Sequence, residues 1–281
     1  MDARSDSGRV TTVELWTGDS MSYQLIHGDC LEVMPTLADK SIDSIICDLP
    51  YGTTNCSWDS VIPFEPLWAQ YKRIIKPRGA IVLFGSQPFT SALIMSNIDW
   101  FKYEWIWKKT HATGQLNLNV RPMTEHENIC VFASGKTTYN LQMTKKPKDK
   151  IRAPTRMGMS DCYGAQREYD RTVPIDMRSP TTVLQFGSVN HGERGYHPTQ
   201  KPVDLLAYLI RTYTNEGETI LDNTMGSGST IVAAIQEGRN AIGIERDADY
   251  FAIAQKRCLE ATYQPSLFTP QPTQWEPVAM F

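Results

Sequence analysis

Two segments of the chain combine acidic residues and glycines in a pattern that predicts nucleoside binding. In "ETILDNTMGSGSTIVAA" an apolar run ends on Asp222, and Gly226 and Gly228 precede a helical pattern. The N–H groups at such a helix start face the crevice in which open α/β sheets hold ligands. In "AIGIE" the apolar run ends on Glu245, whose carboxylate is suited to accept hydrogen bonds from a ribose diol.

The glycine turn departs from the fingerprint of dinucleotide-binding proteins. Ile231 occupies the position of the third Gly or Ala, and the turn opens with an acidic residue, which would repel a pyrophosphate. These features favour a nucleoside cofactor that carries positive charge and no phosphate, and S-adenosylmethionine has this chemistry. The alternative is a structural strand–helix turn without a ligand.

A third segment, "CDLPYG", sets a carboxylate, a rigid proline, an aromatic ring and a glycine directly after an apolar run. Taken alone, the pattern favours a turn that ends a strand and buries Tyr51. Because the chain also carries the two nucleoside-binding segments, a functional site that includes Asp48 is the preferred interpretation.

Short apolar runs alternate with helical patterns, which predicts an α/β fold with a parallel sheet covered on both faces. The predicted strands are residues 23–27, 42–47, 80–85, 103–107, 129–133, 218–221 and 241–245. The predicted crossover helices are "PFEPLWAQYKRII", "PVDLLAYLIRTY" and "STIVAAIQEG".

Composition predicts a globular, cytoplasmic protein. Of the 281 residues 41% are hydrophobic and 21% charged, and the longest apolar runs have the length of a strand, too short for a membrane span. The first ten residues include acidic residues and lack the apolar core of a secretory signal. The six cysteines lie far apart without metal-ligand spacing, which predicts reduced thiols and no metal.

The alternation stops between about Gly135 and His197, which predicts a loop-rich insert. Ten basic and five acidic residues lie between Lys136 and Arg178, so this segment carries +5 and the rest of the chain, with a total of −3, carries −8. A local basic surface of this kind suits phosphate neutralisation, and a solvated loop is the alternative.

The segments "CDLPYG", "HPTQKPV" and "LDNTMGSGST", in that order, resemble the amino-group DNA methyltransferases of the permuted β class, in which the catalytic half precedes the cofactor half. The resemblance covers roughly residues 23 to 260. It implies a Rossmann-like seven-stranded methyltransferase sheet with an inserted target recognition region, S-adenosylmethionine as the cofactor, double-stranded DNA as the substrate and no membrane partner. It leaves open whether the chain forms a homodimer or has a cognate restriction enzyme.

The resemblance also assigns roles to individual residues. It gives a cofactor-binding set of Asp29, Lys201, Pro202, Asp222, Gly226, Ser227, Gly228 and Glu245. In this set Asp29 would bind the adenine amino group of the cofactor and Lys201 its methionine carboxylate. The DNA-binding set in the insert is Lys145, Lys146, Lys148, Arg152, Arg156, Arg167 and Arg171.

The catalytic set is Asp48, Leu49, Pro50 and Tyr51. An exocyclic amino group is a poor nucleophile because its lone pair is delocalised into the ring. The Asp48 carboxylate and the Leu49 carbonyl, held by Pro50, would each accept one amino hydrogen and direct the lone pair toward the methyl group. Tyr51 would stack on a base flipped out of the duplex.

Adenine N6 is the preferred target, because in the family Asp at the first motif position goes mostly with adenine and Ser with cytosine. The alternative is cytosine N4, and less favoured are a catalytically silent DNA-binding subunit and an NAD-dependent oxidoreductase. Two departures from the family are Leu49 in place of proline, and Asn223 and Thr224 in place of Pro-Phe, so an aromatic wall near the methionine chain is expected to be missing.

The predicted organisation has five parts. They are a flexible N-terminus (1–20), the catalytic half (21–135), the target recognition insert (136–196), the cofactor-binding half (197–262) and an irregular C-terminal tail (263–281).

Overall fold

The computed structural model describes residues 11–17, 21–53, 59–151, 174–187 and 200–263. The strands are Thr11–Thr17 (β1), Met21–His27 (β2), Ile42–Cys47 (β3), Ile75–Gly85 (β4), Phe101–Thr113 (β5), Thr124–Phe132 (β6), Thr144–Lys145 (β7), Met177–Arg178 (β8), Val183–Gln185 (β9), Thr219–Asp222 (β10) and Asn240–Glu245 (β11). The α-helices are Cys30–Val33 (α1), Phe64–Ile74 (α2), Phe89–Ser96 (α3), Val203–Tyr213 (α4), Ser229–Gln236 (α5) and Ala248–Tyr263 (α6).

Within the described residues, one nine-stranded sheet has the order β1-β2-β11-β10-β3-β4-β6-β5-β9. The five strands from β2 to β4 are parallel, and β6 runs antiparallel to both β4 and β5. All seven predicted strands are present and form a Rossmann-like core of seven adjacent strands. One further strand lies at each edge, β1 antiparallel to β2 and β9 parallel to β5.

The N-terminal prediction was wrong in one part. Residues 11–17 lie inside the segment 1–20 that was predicted to be flexible, yet they form β1 and pair with β2 along its whole length. The physical reason is that β2 would otherwise be an edge strand, and its unpaired backbone groups offer a template for another strand.

Helices cover both faces of the sheet, as predicted. On β3 the alternation of side chains sends Ile46 into the core under α4, α5 and α6, while Ile45 and Cys47 pack into the core under α1, α2 and α3. Both faces are therefore buried, which explains the near-continuous apolar run of this strand. None of the described helices has the length and apolar character needed to cross a membrane.

The predicted crossover helices correspond to α2, α4 and α5, and Pro202 is the N-cap of α4. Helices α3 and α6 were not predicted. The tail predicted from residue 263 overlaps the last residue of α6, and its remainder lies outside the described residues.

The described parts of the insert contain little regular structure. Strands β7 and β8 form a separate two-stranded sheet, and β9 joins the edge of the main sheet. Asn140 fixes the start of the insert to the end of α4, because its side chain donates to the carbonyls of Arg211 (3.0 Å) and Thr214 (2.9 Å).

Candidate active site

The catalytic and cofactor segments meet because β3 and β10 are parallel neighbours, with Ile45 opposite Leu221. The carboxyl ends of parallel strands lie at one edge of a sheet, so the turns that follow these two strands lie side by side. Thr224 joins them, because its hydroxyl donates to the carbonyl oxygen of Asp48 (3.0 Å) and lies 2.9 Å from the thiol of Cys47.

A single cleft opens at this edge, and most of the predicted catalytic and cofactor-binding residues line it. Of the twelve, those that contribute to its wall are Asp29, Asp48, Leu49, Pro50, Tyr51, Lys201, Asp222, Gly226, Ser227 and Glu245. Gly228 and Pro202 are not part of the wall; Pro202 is buried at the start of α4, and Gly228 packs against α6.

The turn after β3 is held in shape by a carboxylate that the sequence analysis did not identify. Asp59 is buried, and its two oxygens accept the N–H groups of Gly52 and Thr53, each at 2.9 Å. Gly52 has φ +68°, a left-handed conformation that glycine adopts without strain. The chain therefore turns away tightly behind Tyr51.

Tyr51 lies with its ring against Phe89, with centroids 5.1 Å apart and an interplanar angle of 29°. Its hydroxyl donates to Asp48 Oδ1 (2.6 Å). Burial raises the pKa of Tyr51 well above its ordinary value, and the Asp48 carboxylate adds to this effect, so the phenol stays neutral and remains a donor. The Lys201 ammonium lies 5.8 Å from the centroid of the same ring.

Lys201 is buried, with 6% of its side chain exposed, and it forms ion pairs with two carboxylates. Its Nζ donates to Asp48 Oδ2 and lies 3.3 Å from Glu127 Oε2. Glu127 Oε1 in turn lies 2.6 Å from Lys109 Nζ. The predicted contact of Lys201 with a methionine carboxylate would therefore compete with two protein carboxylates, and Glu127, for which sequence reasoning favoured a structural role, lies next to the catalytic segment.

The pKa directions follow this arrangement. Burial raises the pKa of Asp48, although the Lys201 ammonium opposes the effect. Burial alone would raise the pKa of Glu127, but Lys201 and Lys109 together lower it. Burial alone would lower the pKa of Lys201, but the two carboxylates raise it, so the amine is held as an ammonium ion.

The turn after β10, predicted to bind the cofactor, is built from backbone groups and two carboxylates. Gly226 and Gly228 have φ of +52° and +81°. Glu245 Oε2 accepts the Gly226 N–H (2.9 Å), and Asp222 Oδ1 accepts the Thr224 N–H (3.1 Å). Burial raises the pKa of Asp222 to about 7 and also raises the pKa of Glu245.

Helix α6 supports this turn from behind. A Cβ atom at Gly228 would lie 2.9 Å from Ala254 Cβ, so only glycine allows the observed approach. The buried Arg257 donates from Nη1 to the carbonyl oxygen (2.7 Å) and hydroxyl (3.0 Å) of Ser227. The supporting role of Arg257 was not predicted from the sequence, because no motif surrounds this residue and α6 itself was not predicted.

Asp29 occupies the turn between β2 and α1. Its Oδ1 accepts the Leu31 N–H (2.8 Å) and so caps α1, while the N–H of neighbouring Gly28 donates to the carbonyl of Glu245 (2.9 Å). The two strand ends that carry Asp29 and Glu245 are thus hydrogen-bonded to each other. At the departure noted after Asp222, Asn223 is buried and accepts a hydrogen bond from the Tyr71 hydroxyl (2.5 Å).

The predicted DNA-binding residues are only partly described. Lys145 in β7 and Lys148 are exposed, and half-buried Lys146 donates to the carbonyl of Ile175 (3.0 Å). The remaining predicted residues, Arg152, Arg156, Arg167 and Arg171, lie outside the described residues.

Fold and site together define an enzyme of the Rossmann-like α/β class, with two motif turns facing one cleft at the carboxyl ends of its parallel strands. A family model of N6 and N4 methyltransferases, described as DNA methylase, matches residues 42–256. The chain belongs to this family of DNA methyltransferases.

Individual relatives agree with that assignment. The type II methyltransferase M.HpaI of Haemophilus parainfluenzae is 29% identical over 254 residues, covering 84% of this chain and 74% of the relative. The type II methyltransferase M.HinfI of Haemophilus influenzae is 28% identical over 271 residues, covering 86% of this chain and 70% of the relative.

Solved structures have the same fold. The crystal structure of an M1.HpyAVI–SAM complex has a TM-score of 0.57 at 26% identity, covering 84% of this chain and 98% of that one. The cytosine-N4-specific PvuII DNA methyltransferase has a TM-score of 0.60 at 15% identity, and the match covers 90% of this chain and 89% of that one.

Proposed function

We propose that this protein transfers the methyl group of S-adenosylmethionine to the N6 amino group of adenine within a short DNA sequence. The observation that carries the proposal is the single cleft shared by the Asp48 and Asp222 turns, joined by the Thr224 hydrogen bond to Asp48. A direct transfer needs the two reacting groups within one enclosure.

The cleft fits the cofactor by the chemistry of its wall. The glycine turn exposes backbone to a ligand, Glu245 has oxygens suited to a ribose diol, and Asp29 lies on the adjoining strand end. The acidic Asp222 at the turn suits a ligand with a positive centre better than it suits a negatively charged pyrophosphate. When bound, S-adenosylmethionine supplies an electrophilic methyl group on a sulfonium sulfur.

The residues of the catalytic turn then activate the amino group. Asp48 and the Leu49 carbonyl each accept one amino hydrogen, so the nitrogen lone pair points out of the ring plane. Tyr51 stacks on the flipped base. The amino nitrogen would gain the methyl group as the sulfur–methyl bond of bound S-adenosylmethionine breaks to give a neutral thioether. Asp48 would accept the one proton that the nitrogen loses, because burial raises the pKa of its carboxyl group.

Cytosine N4 is the second candidate. Its amino group needs the same pair of acceptors, and the structural likeness to a cytosine-N4-specific enzyme keeps it in consideration. Asp48, rather than serine, at the first motif position favours adenine. The basic residues of the insert, including Lys145 and Lys148, are proposed to neutralise DNA phosphates.

The deciding experiment is incubation of the protein with unmethylated DNA and S-adenosylmethionine labelled in its methyl group, followed by nucleoside analysis and mapping of modified positions. The expected product is N6-methyladenine in one sequence context. N4-methylcytosine would replace the adenine assignment with the cytosine one, and DNA without label, in a preparation that binds the cofactor, would refute both.

A further inference from the structure

Four buried or half-buried charges of alternating sign lead from β5 to the catalytic turn. We name Lys109, Glu127, Lys201 and Asp48 the charge chain. Lys109 Nζ lies 2.6 Å from Glu127 Oε1, Glu127 Oε2 lies 3.3 Å from Lys201 Nζ, and Lys201 Nζ donates to Asp48 Oδ2. These residues come from β5, from β6, from the segment before α4 and from the turn after β3.

The last member of the charge chain has both oxygens engaged in this structure. Asp48 Oδ1 accepts from the Tyr51 hydroxyl, and Oδ2 accepts from the Lys201 ammonium. A target amino group needs one of these oxygens as its acceptor. Because an ammonium and an amino group both present N–H donors, Lys201 Nζ occupies a position that an incoming amino group would take.

Lys201 has a second carboxylate within reach. Its Nζ lies close to Asp48 and to Glu127 at once, so a small displacement of the side chain exchanges one partner for the other. The exchange matters because a buried ammonium without a carboxylate carries a large desolvation penalty. Lys109 holds Glu127 in place and keeps it ionised, which prepares it to receive the ammonium.

We propose, on the basis of the function above, that Lys201 and Glu127 are positioning residues: the Lys201 ammonium fills the amino-group position at Asp48 Oδ2 until a flipped base enters, and Glu127 then holds it. The ammonium thus preserves the orientation of Asp48 in the empty enzyme. Entry of the base costs little free energy because the displaced Lys201 ammonium remains paired with Glu127.

The charge chain predicts opposite shifts of the pH–rate profile when Glu127 or Lys201 is replaced. The titratable or charged groups that act on Asp48 are Lys201, Glu127, Tyr51, Asp222 and Cys47. Among these, the negative charge of Glu127 raises the pKa of Asp48 and the positive charge of Lys201 lowers it. Since transfer needs ionised Asp48, removing Glu127 shifts the acid limb of the pH–rate profile to lower pH, and removing Lys201 shifts it to higher pH.

The experiment compares Glu127→Gln and Lys201→Met with the wild-type protein on a duplex containing the unmethylated target site. The same duplex with 2-aminopurine next to the target base reports flipping, because the fluorescence of the probe rises when its neighbour leaves the stack. Glu127→Gln leaves Lys201 with Asp48 as its remaining carboxylate in the charge chain. We therefore expect reduced 2-aminopurine fluorescence and a loss of about tenfold or more in kcat/KM for DNA. Lys201→Met is expected to keep fluorescence at or above the wild-type level.

Calorimetric titration with S-adenosylmethionine separates this proposal from its rivals. Both variants are expected to bind the cofactor with wild-type affinity. The matched control is Lys76→Met, which breaks an ion pair with Asp43 (2.7 Å) at the opposite end of β3 and is expected to leave every readout unchanged. Lys201→Gln serves as the second variant if Lys201→Met does not fold.

Three results would overturn the proposal. They are acid limbs that shift in the same direction, flipping that is unaffected by Glu127→Gln, and a large loss of cofactor affinity in Lys201→Met, which would assign Lys201 to the methionine carboxylate. Absence of amino methylation by the wild-type protein would instead refute the proposed function, so the two failures are distinguishable.

Discussion

Replacing Gly228 with alanine tests how closely the cofactor turn must approach α6. Gly228 has φ +81°, and a Cβ atom built on it would lie 2.9 Å from Ala254 Cβ and 3.2 Å from Ala254 Cα. The chain offers a matched control in Gly217, which has φ +75° and no atom within 4 Å of the added Cβ. The two variants share the backbone strain, and only one has the steric conflict.

The expected free energies of unfolding follow from these contacts. Alanine in the left-handed region costs about 1–2 kcal/mol at either site. Carbon atoms prefer separations of about 3.5–4 Å, so at Gly228 the helix or the turn must also move, and overpacking of this kind costs about 1–3 kcal/mol more. Gly217→Ala should therefore lose about 1–2 kcal/mol and Gly228→Ala about 2–5 kcal/mol.

Urea unfolding of the two variants measures the difference, and calorimetry measures S-adenosylmethionine affinity on the same preparations. Because the turn lines the proposed cofactor cleft, Gly228→Ala is expected to bind the cofactor about tenfold or more weakly than the wild-type protein. Gly217→Ala is expected to bind it with wild-type affinity. Equal destabilisation of both variants would refute the argument that the contact with Ala254 demands glycine. Undiminished affinity in Gly228→Ala would refute the assignment of the turn to the cofactor.

Three further predictions concern the two turns. Asp48→Ala is expected to lower kcat for methyl transfer about 100-fold or more with cofactor affinity retained, and near-normal turnover would rule out its role. Thr224→Val removes the donor to the Asp48 carbonyl, so a cost of about 1–3 kcal/mol in unfolding free energy and a lower kcat are expected; a neutral result would mean that this bond does not hold the turns together. The pKa of Asp222 rises from 3.8 to about 7 through burial, so the folded state holds this proton more tightly than the unfolded state, and the contribution of Asp222 to stability should fall as pH rises from about 4 to about 7. The free energy of unfolding, measured at several pH values, should depend less on pH in Asp222→Asn than in the wild-type protein, by at most about 4 kcal/mol over this range. The same pH dependence in both proteins would contradict the raised pKa of Asp222.

Sequence reasoning located the elements that carry local signals. Each strand of the seven-stranded core has an apolar or β-branched run, and the glycines and acidic residues after β10 form a contiguous pattern. Helix α6 was not predicted, and its buried face includes the charged Arg257 beside the apolar Phe251, Ala254 and Cys258. Strand β1 was missed although its pairing with β2 is local in the sequence, since three residues separate the two antiparallel strands.

The same division applies to the site. The type and order of the motif residues, from Asp48 to Asp222 and Glu245, could be read from the chain because each follows an apolar run. The partners of those residues could not. Glu127 and Lys201 are separated by more than seventy positions, and their ion pair forms because β6 and the segment before α4 both lie beside the turn after β3.

By itself the sequence determined the seven strands of the core, three crossover helices and the order of three motifs typical of an amino-group methyltransferase, because hydrophobic periodicity, turn residues and short motifs are local properties. The tertiary structure alone decided that Thr224 joins the catalytic turn to the cofactor turn, that α6 supports Ser227, and that Lys201 lies between two carboxylates. Those contacts depend on strand order and on burial, and both arise only when segments distant in the chain pack together.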